Sequence, residues 1–354
     1  MGLQFLDVLQ VAVGCDTSVS SSLPDVDWRR VLKTAQKQSV EGIVFPVFEK
    51  YAFANVVNPE LLYSWIAIVD GIEKQNEVVN HRAAELTDFF SSGGYRGCIL
   101  KGQGIARLYP NPLLRRSGDI DIWVGGERDE IVEYIRSKGI RVYDVHLVHA
   151  TAEFFPDVPV EVHFQPSWMY NPQLNRRLQE FFKAQAPVQF ANYDKTAGFA
   201  YPTVFFNLVH SMVHINRHVF EEGVGLRQLM DYYFILKHSS PGERTDAYKV
   251  LSSVGLKKFA AAVMYMMQRV FQLDDDLMLC EPSSTRGTQL LDSVMAGGNF
   301  GNAFNLKHGR NKLEKGLLQL KHNFQLMLPY ANEAMWIPFF QVWHYGWRRR
   351  HGYL

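Results

Sequence analysis

The stretch Arg115-Arg116-Ser117-Gly118-Asp119-Ile120-Asp121-Ile122-Trp123-Val124 decides how this chain is read. Its second half is β-branched and alternating, the signature of a short strand with one face in a core. Side chains two residues apart on a strand share a face. Asp119 and Asp121 therefore stand side by side, while Ile120, Ile122 and Val124 point the other way. Two carboxylates that close repel unless a divalent cation neutralises them. Mg²⁺ suits the pattern because it takes a few carboxylates and keeps positions open for phosphate oxygens and water. A pair of such ions polarises a phosphate and activates an attacking hydroxyl.

Working outward, Val160-Glu161-Val162-His163-Phe164 repeats the alternation. Val160, Val162 and Phe164 face a core, and Glu161 and His163 share the opposite face. If this strand lies beside the first, Glu161 becomes the third acid, for metal binding or general-base work, and His163 is placed to touch phosphate or substrate. Upstream, Lys101-Gly102-Gln103-Gly104 follows the apolar run Cys98-Ile99-Leu100 and opens a helix. Glycines there let backbone N–H groups approach a phosphate, and Lys101 adds a point charge. Arg115 or Arg116 is placed to grip a triphosphate oxygen by a forked contact.

These elements form a small α/β unit. Further strands are expected at Val142-Tyr143-Asp144-Val145 and Val158 to Phe164, and helices at Gln103 to Leu108 and Arg128 to Lys138. On either side the period is helical. Before it lie Met1 to Cys15, a helix opened by Asp27-Trp28 with the period running from Val31 to Phe48, and Leu61 to Phe90, which stops at Ser91-Ser92-Gly93-Gly94. After it lie Thr203 to Ile215, Gly225 to His238, Lys249 to Phe271 and Lys312 to Leu328, with a loop at Gly297 to Gly301. The expected fold is α+β: a small mixed sheet flanked by N-terminal and C-terminal helical segments, divided as 1–92, 93–170 and 171–354.

The 354 residues are 47% hydrophobic and 21% charged, enough for a buried core, with a formal net charge of +1. Such balance provides no whole-protein field for gripping a polyanion, which argues against a dedicated nucleic-acid binder. Cys15, Cys98 and Cys280 are scattered, against a zinc ribbon or disulfide framework and in favour of a reducing cytoplasm. The apolar N-terminus has no basic region and carries Asp7, so it is expected to be an amphipathic helix rather than a signal peptide. No apolar run approaches the roughly 20 residues of a membrane span.

Several other features have competing readings. His210, His214 and His218 share a helix face, but His210-Ser211-Met212-Val213-His214 lacks the glutamate of a metalloprotease; cleft lining or core packing is expected over zinc. Arg227 and Asp231 are one turn apart, so either they pair or Arg227 reaches a nucleotide; the latter is expected. Asp274-Asp275-Asp276 reads as a solvated turn. Arg348-Arg349-Arg350 among aromatics reads as the end of a solvated C-terminal helix rather than a contact for nucleic acid or an acidic partner.

The segment resembles the DNA polymerase beta-like nucleotidyltransferase superfamily, and within it an uncharacterised nucleotidyltransferase family of bacteria. The resemblance rests on Lys101-Gly102, Leu108-Tyr109-Pro110, Arg116, Gly118-Asp119-Ile120-Asp121 and Glu161-Val162-His163. Weaker likeness runs through Asp27-Trp28 and Gly225-Leu226-Arg227-Gln228-Leu229-Met230-Asp231. It implies an Mg²⁺-dependent nucleotidyltransferase that passes the NMP of ATP or another NTP to an unidentified hydroxyl on a small molecule, sugar or protein. Asp119, Asp121 and Glu161 would be the catalytic metal ligands. Lys101, Gly102, Gln103, Arg116, His163 and Arg227 would bind the nucleotide. Two alternatives stand beside it: a non-catalytic module that senses a nucleotide or docks a partner, and a toxin–antitoxin-like protein that nucleotidylates a neighbour.

Overall fold

A computed structural model describes residues 3–15, 26–54, 58–221, 223–297 and 335–353. The chain is α+β. In order it runs α1 (Leu3–Ala12), α2 (Trp28–Gln38), α3 (Glu41–Ala54), α4 (Pro59–Ser92), β1 (Gly97–Leu100), α5 (Lys101–Ala106), β2 (Ile120–Val124), α6 (Arg128–Ser137), β3 (Val142–Tyr143), β4 (His149–Ala152) and β5 (Val160–His163). It continues with α7 (Pro172–Ala191), β6 (Tyr193–Asp194), β7 (Phe199–Ala200), α8 (Val204–Phe220), α9 (Leu226–Lys237), α10 (Pro241–Ser253), α11 (Lys257–Phe271), α12 (Ser284–Gly297) and α13 (Ile337–Arg350). The helix expected at Lys312 to Leu328 and most of the Gly297 to Gly301 loop lie outside the described residues.

The five-stranded sheet has the order β1-β2-β5-β4-β3. β2 and β5 pair parallel, and the other neighbours pair antiparallel. The parallel pair needs a crossover, which α6, β3 and β4 supply. Each face has its own core. Ile120, Ile122, Val124, Val160 and Val162 pack on Val79, Ala83, Leu86 and Phe90 of α4 and on Ile131 and Ile135 of α6. On the other face Trp123 stacks on Phe206 of α8 at 5.7 Å and sits 4.7 Å from Phe190 of α7. That second face also carries Asp121, Glu161 and His163, so their polar groups must be satisfied locally.

Three helical expectations are corrected by backbone breaks. The period from Val31 to Phe48 is two helices, because Ser39 caps α2 at φ 57° and sends its N–H back to Gln36. The stretch Lys249 to Phe271 is also two, separated at Gly255 with φ +78°. The helix expected to start at Gln103 starts at Lys101 instead and is kinked at Gly102, φ 28° and ψ −112°. Among the strands, β3 is shorter than expected, and β4 was not anticipated. Its His149-Ala150-Thr151-Ala152 buries two alanines in place of the β-branched residues that mark a strand. No helix of the described residues is long and apolar enough to cross a membrane.

Candidate nucleotidyltransferase site

The register of β2 on β5 builds the site. Asp121 pairs with Glu161 and Trp123 with His163. Parallel strands in register put partnered side chains on the same face, so the two acids of different strands meet. Asp119 lies one residue before β2 and opens into the cleft. One oxygen each of Asp119, Asp121 and Glu161 lie within 4.8 Å of one another.

Two basic side chains pair with this charge. The Lys101 ammonium is 2.8 Å from Asp121 Oδ1, and His163 Nε2 is also 2.8 Å from it. His163 Nε2 is 3.3 Å from Glu161 Oε2. Lys101 reaches Asp121 because the chain turns at the end of β1, with Lys101 at φ 45° ahead of the Gly102 kink. Leu100 pairs with Asp121 across β1 and β2, which carries Lys101 to the same corner.

The titration behaviour follows from these neighbours. The negative charge of Asp121, then burial, pushes Asp119 up to about 6. Burial also opposes the charge of Asp121, but Lys101 and the His163 hydrogen bond outweigh it and hold Asp121 well below the usual carboxylate range. Glu161 is likewise opposed by burial, and the His163 hydrogen bond brings it to about 2. Burial works against a charged His163, yet the hydrogen bonds it donates to Asp121 and Glu161 raise its pKa.

A cleft of about 370 Å³ opens over the acids. Lys101 and Gly102 form one side, and Arg227 and Gln228 of α9 another. His214, Arg217 and His218 line it from α8, with Trp168 and His149 at the edge. Arg217 lies over the Trp168 ring at 3.8 Å. Burial, then the Lys101 charge, pushes the His214 pKa well below the usual imidazole range. His210, by contrast, is buried and faces the Pro166 carbonyl at 3.2 Å. The three α8 histidines form no common ligand set among the described residues.

The remaining expected residues divide. Arg227 lines the cleft; its Nη1 donates to the Arg116 carbonyl at 3.2 Å and its Nε has no partner. It does not pair with Asp231, which is taken by Arg115 through two hydrogen bonds of 2.7 and 2.8 Å. Arg116, expected at the phosphate, turns away and pairs with Glu41 of α3, so of these two adjacent arginines Arg115 is the one on the cleft wall. Gln103, also expected at the phosphate, is buried and donates to Asn80 Oδ1 at 2.7 Å and Asn76 Oδ1 at 3.3 Å of α4. A kink at Gly102 separates its direction from that of Lys101, and a sequence pattern cannot foresee that. Trp168, Arg217 and His149 went unnoticed because they sit beyond the acid motifs, in segments with no spacing that announces a cleft.

The family model described as uncharacterised nucleotidyltransferase matches residues 24–272. Among solved structures the chain is similar to an antigenic nucleotidyltransferase-like protein from Paracoccidioides brasiliensis, with 13% identity and a TM-score of 0.36, covering 58% of this chain and 94% of that one. No curated protein matches. The family match spans α2 through α11 and takes in both acid-bearing strands, the kinked Lys101 corner and the α9 wall of the cleft, and on that ground the chain belongs to the uncharacterised nucleotidyltransferase family.

Proposed function

We propose that this protein transfers the nucleotidyl group of an NTP to an acceptor hydroxyl with the help of Mg²⁺. The observation that carries the reading is the in-register pairing of Asp121 with Glu161, which joins Asp119 in a three-carboxylate cluster at the floor of an open cleft. The donor set is all oxygen, which fits a hard cation. Asp119, Asp121 and Glu161 would hold it. When bound, Mg²⁺ neutralises phosphate charge and lowers the pKa of a hydroxyl that it contacts.

The chain's own residues do the rest by position and charge. Arg227, with Nε unpaired, is available to a phosphate oxygen on the α9 side. Lys101 sits at the opposite side, paired with Asp121, and would be free for a phosphate if a cation took that carboxylate. Gly102 leaves its backbone open to a phosphate, since nothing stands within 3.4 Å of where a Cβ would be. Glu161, held at about 2, is a good ligand and a poor proton acceptor, so of its two expected roles the ligand is favoured.

The test is calorimetric titration of each NTP into wild type and Asp121→Ala, with and without Mg²⁺. Binding of one nucleotide that requires Mg²⁺ and disappears in the variant supports the reading. A well-folded wild type that binds no NTP in the presence of Mg²⁺ overturns it.

A further inference from the structure

Beside the three acids lies a second set of donors with different chemistry. His149 on β4 is directly opposite His163 on β5, and Glu161 is two residues before His163 on the same face. The imidazole rings are 5.2 Å apart. His163 Nε2 is 3.3 Å and His149 Nε2 is 4.0 Å from the same atom, Glu161 Oε2. One donor atom from each of the three lies within 4.8 Å of the others. Ligands held about 2 Å from an ion stand roughly 3 to 4 Å from one another, so small side-chain adjustments close this set around a cation.

Two details argue that the set is built for a ligand. The His149 ring has Nδ1 buried without a hydrogen-bond partner, and its Nε2 lies on the Glu161 side. Nε2 is therefore the nitrogen that an ion beside Glu161 would meet. His163 has its Nδ1 facing the Gln165 carbonyl at 3.4 Å, and its Nε2, on Asp121 Oδ1 at 2.8 Å, is the cluster-side nitrogen, which would exchange that hydrogen bond for an ion. Imidazoles that ligate metals commonly hold their second nitrogen against a backbone carbonyl in this way.

We propose that His149, Glu161 and His163 form a second cation site, selective for a borderline divalent ion such as Zn²⁺ and sharing Glu161 with the three-acid cluster. Two imidazoles and one carboxylate favour Zn²⁺, Co²⁺ or Fe²⁺ over Mg²⁺, which prefers oxygen alone. The proposal does not depend on nucleotide binding, since it uses only the sheet residues named.

Co²⁺ is the probe, because its visible absorption reports nitrogen ligation. The metal-stripped full chain is titrated with Co²⁺ in excess Mg²⁺ and without nucleotide, as wild type, Asp119→Asn, His149→Ala and His149→Gln. The expected result is one equivalent of Co²⁺ in wild type and Asp119→Asn, displaced by Zn²⁺ and not by Mg²⁺. Affinity falls at least about tenfold in both His149 variants, with far-UV circular dichroism checking that they remain folded. Wild-type affinity in a folded His149 variant, displacement by Mg²⁺, or no Co²⁺ uptake by wild type overturns the proposal. Because no nucleotide is present, failure to bind NTP in the earlier titration leaves this site standing.

Discussion

Arg115 and Asp231 form a buried two-point ion pair, Nε to Oδ1 at 2.7 Å and Nη2 to Oδ2 at 2.8 Å, that ties the segment leading into β2 to the helix α9. Tyr109 donates a third hydrogen bond to the same carboxylate at 2.6 Å. The cleft has acids from the first element and Arg227 from the second, so this pair sets the distance between them. Removing one partner strands a buried charge. Asp231→Ala is expected to cost about 3–5 kcal/mol, read as a shift of the urea midpoint. Arg115→Met combined with Asp231→Leu should recover most of that loss, because it removes both charges.

Arg227 behaves differently. It has no carboxylate partner, and its Nε is unpaired. Burial and the nearby Arg115 push its pKa down, so its charge is held at a cost. Arg227→Ala is expected to leave the melting temperature unchanged or slightly raised. It should weaken Mg²⁺-dependent NTP binding by about tenfold to a hundredfold, the value of a charge-assisted hydrogen bond. Calorimetry and thermal melting of the same preparation measure both. Equal NTP affinity in variant and wild type would remove Arg227 from the nucleotide site.

Asp119 gives the protein a distinctive pH response without metal. Its folded-state pKa of about 6 is above the ordinary 3.8, because the charge of Asp121 and burial oppose its ionisation. The folded state therefore binds this proton more tightly than the unfolded chain. Its contribution to stability is full below about pH 4 and is lost as pH rises through about 6. Asp119→Asn should stabilise the metal-free protein at pH 8 by on the order of 1 kcal/mol, reduced for solvent screening at this open position. That gain should shrink below pH 6 and vanish near pH 4. A gain that stays constant from pH 4 to 8 would show that repulsion from Asp121 is not its source.

The acid positions were legible in the sequence because a strand has a period of two: Asp119-x-Asp121 and Glu161-x-His163 declare their faces without tertiary information. That these faces adjoin was a conjecture until the β2–β5 register supplied it. The direction of an arginine or glutamine in a loop or kinked helix has no such period. Arg116 went to Glu41 and Gln103 to Asn80, partners 75 and 23 residues away. His149 was missed for a related reason, since β4 lacks the bulky residues by which strands are identified.

The three-part division by residue number marks a change of secondary structure, and we propose that the parts do not fold separately. Val79, Ala83, Leu86 and Phe90 of α4 belong to the same core as Ile120, Ile122 and Val162 of the sheet. On the other face Trp123 packs on α7 and α8. A 93–170 fragment would expose both faces, and is expected to have the circular dichroism of an unfolded chain. A cooperative thermal transition in that fragment would show the opposite.

The pairing of β2 with β5 has a kinetic side. His163 and Asp121 touch although 42 positions apart in sequence, so pairing their strands closes a loop that holds α6, β3 and β4. The docking edge brings like charges together, since Asp121 meets Glu161 there. We expect that repulsion to slow the docking of the two strands, with His163 and Lys101 as the counterions that relieve it. If the three acids take a divalent cation as proposed, that cation in the refolding medium should speed the docking, and the same carboxylates would then bear on assembly as well as on the finished protein.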